Sequence, residues 1–508
     1  MSPRHHVLAA LLFAAATAAF FAPVLRAGPA RAAALEPVAR FWAAWHVADA
    51  EFQAFLVARN ARTLATRPHR LFDTEHCAPA EDTLAYGIPM VTLGALGIPA
   101  ALLSDEPVLV YNAAIVLLNV LSAFAMYLLV ARWTGVVGAG VVAGLLFGFQ
   151  PLRLGNVAHP SVWDISWTVF ALFFAERLFR LGRWRDAVGT AVAIALQVGA
   201  SFYPLTAAVF LAPPLLVWLF ARHRLRHVRP AQLAFVAGVA LLAAAVVLLP
   251  YLGAETDAGA LARSEFYYLE WGEFFSPASI WFPGWTVLAL AACAFAGRRG
   301  LPGADGDPRL ALCVGALLVL LVAAGPNTPW LPDLHRALSA VLPGLDAVRA
   351  IGRLATGGLL ALTVLAGLGA GVLIRRAGER GRVVAVALAL VAAFDVMRLP
   401  ALGLERLYTW DVVEIRPDAA AVAFFEALEA RGNRGALLEL PDAPFEQAPK
   451  DILLAAFHRR RTSSCFGSYT PAGRDELARL AAELPADAAV DALTAQGFTT
   501  LIVHRRRG

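Results

Sequence analysis

Apolar runs of membrane length dominate the chain and alternate with polar connections. A membrane helix needs about 20 mostly apolar residues. The windows 7–25, 107–131, 136–150, 161–179, 186–202, 204–221, 230–251, 281–297, 309–325, 354–374 and 383–399 meet or approach that pattern. The window 136–150 is short and suits a tilted or half-spanning element. The run 84–103 is interrupted by Pro89, Gly94, Gly97 and Pro99, which predicts a helix pair lying on or dipping into the membrane. A long polar stretch, Arg26 to Glu106, separates the first two long runs. From about residue 404 the period changes. Residues 418–430 have an amphipathic helical spacing, 435–441 and 499–504 read as short strands, and 471–484 and 486–496 read as helices. Strands alternating with helices predict a small α/β domain, and roughly 100 residues suffice for a core of its own. The expected fold is an all-α polytopic membrane bundle of about eleven transmembrane helices with a small C-terminal α/β domain. The division is 1–400 for the membrane part, with 26–106 as its first large loop, and 401–508 for the tail.

Composition agrees. The 508 residues are 59% hydrophobic and 16% charged, against roughly 45–50% and about 25% in a soluble domain. The net charge of +5 is carried by arginine, Lys450 being the sole lysine. These arginines flank apolar runs instead of gathering on a polar face with interleaved aromatics, which argues against nucleic acid as a partner. Arg4, Arg132, the 177–185 and 222–229 clusters, Arg298, Arg299, Arg309 and the 375–382 cluster fall in every second connection. The positive-inside rule makes that side cytoplasmic. The N-terminus is then inside. The stretches 26–106, 151–160, 252–280, 326–353 and the tail lie outside, on the periplasmic face of the inner membrane. The basic start and the small residues near 27–34 also fit a cleaved signal peptide, which would leave the outer loop in place.

That placement sharpens the candidate chemistry. Asp49-Ala50-Glu51 is an acidic motif in an apolar, basic neighbourhood. The segment Val38 to Leu64 predicts an amphipathic helix with Trp42, Trp45, Phe52 and Phe55 on its apolar side. Tryptophan favours headgroup depth, so Asp49 is expected near the outer membrane surface. A carboxylate there can hold a divalent cation or act as general base toward a hydroxyl; the plain alternative is a solvated helix face. Asp73, Glu75 and His76 have metal-capable side chains but no helical ligand spacing. Gln150, Asn156, His159 and Asp164 sit at the outer ends of two spans. His159, before a proline, also suits a helix cap. Asp164, one turn into an apolar helix, is a functional candidate by its cost alone. Arg349 and Arg353 are four apart and are expected to share a helix face, which suits a phosphate or pyrophosphate; snorkelling at the interface is the alternative.

Cys77, Cys293, Cys313 and Cys465 show no CxxC spacing. Cys293 and Cys313 lie in apolar runs. Cys77 and Cys465 fall on the outer side, where disulfides persist, and pairing would tie the tail to the first loop. No Walker loop, GxSxG or HExxH occurs in a supporting context, which disfavours ATP-driven transport. An ion-coupled transporter would place charge deep in several spans. Here Asp164, Glu176 and Asp395 lie near span ends.

Several stretches resemble the bacterial GT-C type membrane glycosyltransferases, integral membrane enzymes that use polyprenyl-phosphate-linked sugars. They are Asp49-Ala-Glu51, Arg70-Leu-Phe-Asp73, Pro107-Val-Leu-Val-Tyr-Asn112, the stretch from Leu146 to His159, and Glu176 to Asp186. Arg349-Ala-Ile-Gly-Arg353 and, in the tail, Leu437-Leu-Glu-Leu-Pro441 and Gly497 to His504 complete the set. The likeness runs nearly the whole chain and points to a largely uncharacterised branch. It implies that Asp49, with Glu51 beside it, is the first-loop acid, a general base on the acceptor or a ligand to a divalent cation (Mg or Mn). Asp49, Glu51 and His159 are the metal candidates. Arg349 and Arg353 are the donor-phosphate candidates, and Asp73, Gln150, Asn156, His159 and Asp164 complete the substrate-binding set. The expected activity is sugar transfer from a polyprenyl-phosphate donor to a glycan, lipid or protein acceptor. The alternative is a non-catalytic GT-C-like scaffold or a glycan or lipid export component. The motif here is D-x-E where two adjacent acids are the family pattern.

Overall fold

The computed structural model of the protein describes residues 2–35, 40–255, 267–277, 279–296, 307–331, 333–342, 344–397, 410–432, 434–443 and 447–504. By contact the chain divides into two compact units. One gathers Met1–Ala22, Val116–Ala245 and Glu265–Trp410; the other gathers Pro23–Ile115, Val246–Ser264 and Asp411–Gly508.

The first unit is helical. Each apolar window of the sequence coincides with a helix. Among the described residues five helices are long and apolar enough to cross a membrane: Pro107–Thr134, Phe202–His223, Pro230–Gly253, Arg309–Asn327 and Ile351–Arg376. Others are shorter. Val137–Gly148 has 12 residues, and at 1.5 Å per residue it reaches roughly 18 Å of a ~30 Å hydrocarbon core.

The helix Ala355–Arg376 is the core of this unit, its apolar window 89% buried, whereas that of Pro230–Gly253 is 6% buried. Apolar side chains gain nothing over lipid tails by meeting each other, so helices in a membrane associate through close packing, and small residues permit it. Ala355–Arg376 packs against Trp285–Phe295, Arg309–Ala324 and Val137–Gly148 through such residues. A Cβ at Gly369 would stand 1.8 Å from the Leu290 carbonyl oxygen, and one at Gly367 would meet Val130 and Ala143. Two buried acids in this unit have arginine partners: Glu176 pairs with Arg132 at 2.7 Å and Asp186 with Arg177 at 2.7 Å.

The second unit joins the first large loop to the tail. Its backbone shows how. Ala436–Leu440 and Phe498–Val503 pair in parallel, Leu438 opposite Leu501. Segment 461–463 lies beside the first of these strands, with Leu437 N–H donating to Arg461 O and Ser463 N–H to Leu437 O. The loop residues then pair with that segment: Thr462 N–H donates to Glu75 O at 2.7 Å, Cys77 N–H to Ser464 O and Ala78 N–H to Thr462 O, both at 2.9 Å. Cys77 and Cys465 form a disulfide. A second two-stranded sheet joins Arg31–Leu35 to Trp410–Glu414. Arg416 clamps Glu106 with two bonds of 2.9 Å. Ala78 of the loop is buried in the same apolar cluster as Leu438, Leu477, Leu480, Leu493 and Phe498.

Two expectations change here. The 84–103 run is not a helix pair. It forms a 3-10 turn, Thr83–Tyr86, and one helix, Val91–Ala101. Pro89 precedes the helix, and Gly94 lies inside it because its missing side chain lets Asn60 approach. The tail carries a helix the sequence pattern did not separate, Ala448–His458.

Two predictions follow from these packings. Gly369→Leu will lower the thermal midpoint of detergent-purified protein sharply, overpacking costing about 1–3 kcal/mol or more, while Gly253→Ala, with open space around it, will leave it within a degree or two. Replacing Cys77 and Cys465 by serine together will cost about 2–4 kcal/mol, seen as an earlier melt that reductant no longer changes.

Candidate functional site

The acidic motif lies on the helix Arg40–Thr66 of the second unit. The expected start at Val38 lies outside the described residues, as do the side chains of Trp42 and Trp45. From Glu51 to Ala61 every residue is buried. This corrects the amphipathic surface helix of the sequence reading. The helix is covered on two sides, by Val91–Ala101 and by Ala448–His458. Gly94 and Gly97 allow the first approach, and Phe52 meets Phe466 edge-on at 5.0 Å. Along 51–61 the helix has no wet face, so Glu51 and Arg59 are charges set in a buried stretch.

Asp49 is half-buried and lies within electrostatic reach of Tyr111. Glu51 is 7% exposed. Burial pushes its carboxyl up to about 7; the Lys450 ammonium opposes that and the Asp451 carboxylate adds to it. Arg59, 5% exposed, points away from this end. Its guanidinium donates to the carbonyls of Arg70 (2.6 Å), Leu71 and Asp73, and meets Glu75 at 3.5 Å. Arg59 therefore organises the 70–75 loop, and the sequence reading missed it. Asp73 is paired with Arg70 at 3.0 Å. His76 is buried beside Phe52 and Phe55, and Thr74 Oγ1 lies 2.5 Å from its Nδ1. Burial pushes its pKa down to about 3, so it is neutral at physiological pH. Asp73 and Glu75 thus meet different arginines, Arg70 and Arg59, and His76 meets Thr74.

The other candidates lie in the first unit. Gln150 precedes the short helix Pro151–Gly155, and His159 precedes Pro160–Trp163 without a side-chain cap bond. Asp164 is not one turn into a helix. It occupies the break between Pro160–Trp163 and Ser166–Leu181, where Pro160 starts a turn that ends after four residues. Its Oδ2 accepts from Trp167 Nε1 at 3.2 Å, and its Oδ1 makes no hydrogen bond. Asn156 is half-buried, and its carbonyl accepts from Trp163 Nε1 at 2.7 Å.

Arg153, between these residues, is a second omission. It is 2% exposed, flat between the Phe147 and Trp163 rings at 4.4 and 4.6 Å, and donates to Ser122 at 2.9 Å. Its signal was an arginine on the face otherwise poor in them. Gln150 Nε2, Arg153 Nε, Ser161 Oγ and Asp164 Oδ1 are all buried without a hydrogen bond. Such groups cost about 1–3 kcal/mol each unless a ligand or water meets them, so this end of the unit is a polar-ligand candidate.

Arg349 and Arg353 do not share a helix face. Arg349 lies in the turn before the 3-10 turn Ile351–Leu354. Two backbone bonds fix this segment, Tyr267 N–H to Arg349 O at 3.2 Å and Gly352 N–H to Tyr267 O at 2.9 Å. The Arg353 guanidinium sits over the Tyr203 ring at 5.0 Å. A Cβ at Gly352 would stand 2.6 Å from the Tyr267 ring, which explains the glycine between the two arginines.

No protein-family model matches the chain, and no curated protein does. Solved structures do. The fold is GT-C-like. Cryo-EM structures of the arabinofuranosyltransferase AftD from Mycobacteria superpose with TM-scores of 0.59 and, for a point mutant, 0.57. Identities are 18% and 20%, over 99% of this chain. The chain spans 35% and 37% of the length of those proteins. At such identity the likeness is one of fold. The oligosaccharyltransferase AglB from Archaeoglobus fulgidus, in complex with an inhibitory peptide and a dolichol-phosphate, aligns over 82% of this chain and 60% of its own, at 15% identity and a TM-score of 0.42; nothing is built on it.

The raised Glu51 carboxyl has a signed consequence. The unfolded chain ionises it near 4.5 and the folded chain near 7. Folding stability therefore falls as pH rises from 4.5 to 7 and is level above. Glu51→Gln will remove that fall, raising stability at pH 8 by up to about 3 kcal/mol and by nothing near pH 4.5. Thermal melts of both proteins in chelator across that range measure it.

Proposed function

We propose that the protein is a membrane glycosyltransferase, moving a sugar from a polyprenyl-phosphate donor to a glycan, lipid or protein acceptor on the outer face of the cytoplasmic membrane. The observation that carries the reading is the GT-C-like fold along 99% of the chain. Asp49, a half-buried carboxylate in the first large loop, supports it. In this reading about eleven helices cross the membrane, with the N-terminus inside and residues 401–508 outside.

Asp49 takes the proton of the acceptor hydroxyl as its oxygen attacks the anomeric carbon. The bond from that carbon to the phosphate oxygen breaks, and the phosphate leaves with the bonding pair. Arg349 and Arg353 stabilise the charge it gains. Gln150, Asn156, His159, Asp164 and Asp73 serve substrate binding, and the buried Arg153 joins them. A divalent cation, Mg or Mn, would supply Lewis-acid stabilisation, with Asp49, Glu51 and His159 as its candidate ligands.

Transfer from a polyprenyl-phosphate sugar in proteoliposomes is the test. Asp49→Ala is expected to reduce it by at least about 100-fold, with Arg349→Ala also impaired. If both variants keep full activity or fully support the cell-surface glycan, the non-catalytic scaffold reading replaces this one.

A further inference from the structure

Among the described residues one group of side chains has the spacing of a metal centre, and it is not in the first loop. Glu439, Asp451 and His504 each offer a ligand atom, and these atoms lie within 4.8 Å of one another. Three elements supply them: the strand Ala436–Leu440, the helix Ala448–His458, and the residue after the strand Phe498–Val503. We propose that Glu439, Asp451 and His504 bind one divalent first-row cation, Zn2+ or Mn2+.

The donor set argues the class. Two carboxylates and one imidazole suit Zn2+ or Mn2+, whereas Ca2+ and Mg2+ prefer oxygen alone. Ligand atoms around a tetrahedral ion at ~2.1 Å stand about 3.4 Å apart, so small side-chain rotations close the present spacing. Glu439 and Asp451 are 4% and 9% exposed. Two carboxylates held this close repel each other unless positive charge lies between them, which a cation would supply.

The surroundings are those of an oriented ligand set. Thr462 Oγ1 donates to Glu439 Oε1 at 2.5 Å, and Ser464 Oγ donates to Asp451 Oδ2 at 3.4 Å. His504 Nε2 lies 2.7 Å from Glu439 Oε2, and its backbone N–H donates to Leu440 O. Hydrogen bonds to ligating carboxylates fix their direction and tune their affinity. Thr462 and Ser464 are held by the disulfide-linked ladder to the first loop.

A separate observation comes from the facing helix. Glu51 is more than nine-tenths buried. Its strongest charged neighbours are Lys450 and Asp451, so its carboxyl faces the same turn of Ala448–His458. It is not one of the three clustered ligands, so it would reach the ion through a water. The site has at least one position beyond its three ligands, the mark of a centre that can also take a solvent or substrate oxygen.

This inference stands on the Glu439 group and not on the transferase reading; its readout is metal content. The full chain, purified in detergent and stripped with chelator, is dialysed separately against micromolar Zn2+, Mn2+, Mg2+ and Ca2+. About one equivalent of Zn2+ or Mn2+ per chain is expected, with a rise in thermal midpoint that Mg2+ and Ca2+ do not match. His504→Ala, at the half-exposed end of the set, is expected to weaken binding by about tenfold or more, and Glu51→Gln by a similar factor. Size exclusion and an intact Cys77–Cys465 bond establish that each variant is folded; Asp451→Asn serves if His504→Ala is not. Wild-type protein that retains less than a fifth of an equivalent, or folded His504→Ala that retains the same metal at the same affinity, overturns the proposal. Unchanged affinity in Glu51→Gln removes Glu51 from the shell.

Discussion

The second unit depends on a backbone ladder between segments far apart in sequence. Residues 75–78 pair with 462–464, and these pair with the strand Ala436–Leu440. An edge strand left open would present unpaired N–H and C=O groups. Here the first large loop covers the edge, and a disulfide seals it. Everything else in the unit presumes this ladder. The helix Ala448–His458 can cover Glu51 only if the tail is docked, and Arg59 can gather three loop carbonyls only if the loop already holds its course. Arg461 adds to the seam through the carbonyls of Pro79 and Ala80.

The first unit solves a different problem. Lipid is as apolar as leucine, so burying leucine contributes little, and shape must do the work. Glycines along Ala355–Arg376 bring backbones close on several sides. The unit's buried acids lie near helix ends. At one kind of end they are answered by arginines, as Glu176 by Arg132 and Asp186 by Arg177. At 150–164 short helical turns leave several donors and acceptors unmet. The contrast separates groups that hold the fold from groups whose partners lie elsewhere.

Much of this was legible in the chain. Apolar length gave the helices at every window, because a run that must satisfy its own backbone in an apolar medium has few alternatives. The strands Ala436–Leu440 and Phe498–Val503 and most tail helices followed from period, while Trp410–Glu414 did not. What period could not show was partnership. Glu51 to Ala61 looked one-sided because the helices that cover its polar-looking face come from residues 91–101 and 448–458. Arg349 and Arg353 were four apart, yet a backbone strap from Tyr267 holds the first of them out of the helix. Arg153 and the Glu439, Asp451 and His504 group escaped notice for the same reason. Each lies among ordinary neighbours in sequence and acquires meaning only from residues across the fold.

The bond between Cys77 and Cys465 bridges a sequence separation of 388. At 5–20 residues per second of synthesis, its two halves emerge roughly 20–80 s apart. During that interval the helix carrying Asp49, Glu51 and Arg59 has no tail to cover it, and Cys77 has no native partner. The first loop must therefore wait through the making of nearly every membrane helix before it can take its final form. A cell producing this protein would need something to guard that thiol and that helix in the meantime, so assembly would be sensitive to redox helpers as well as to membrane insertion.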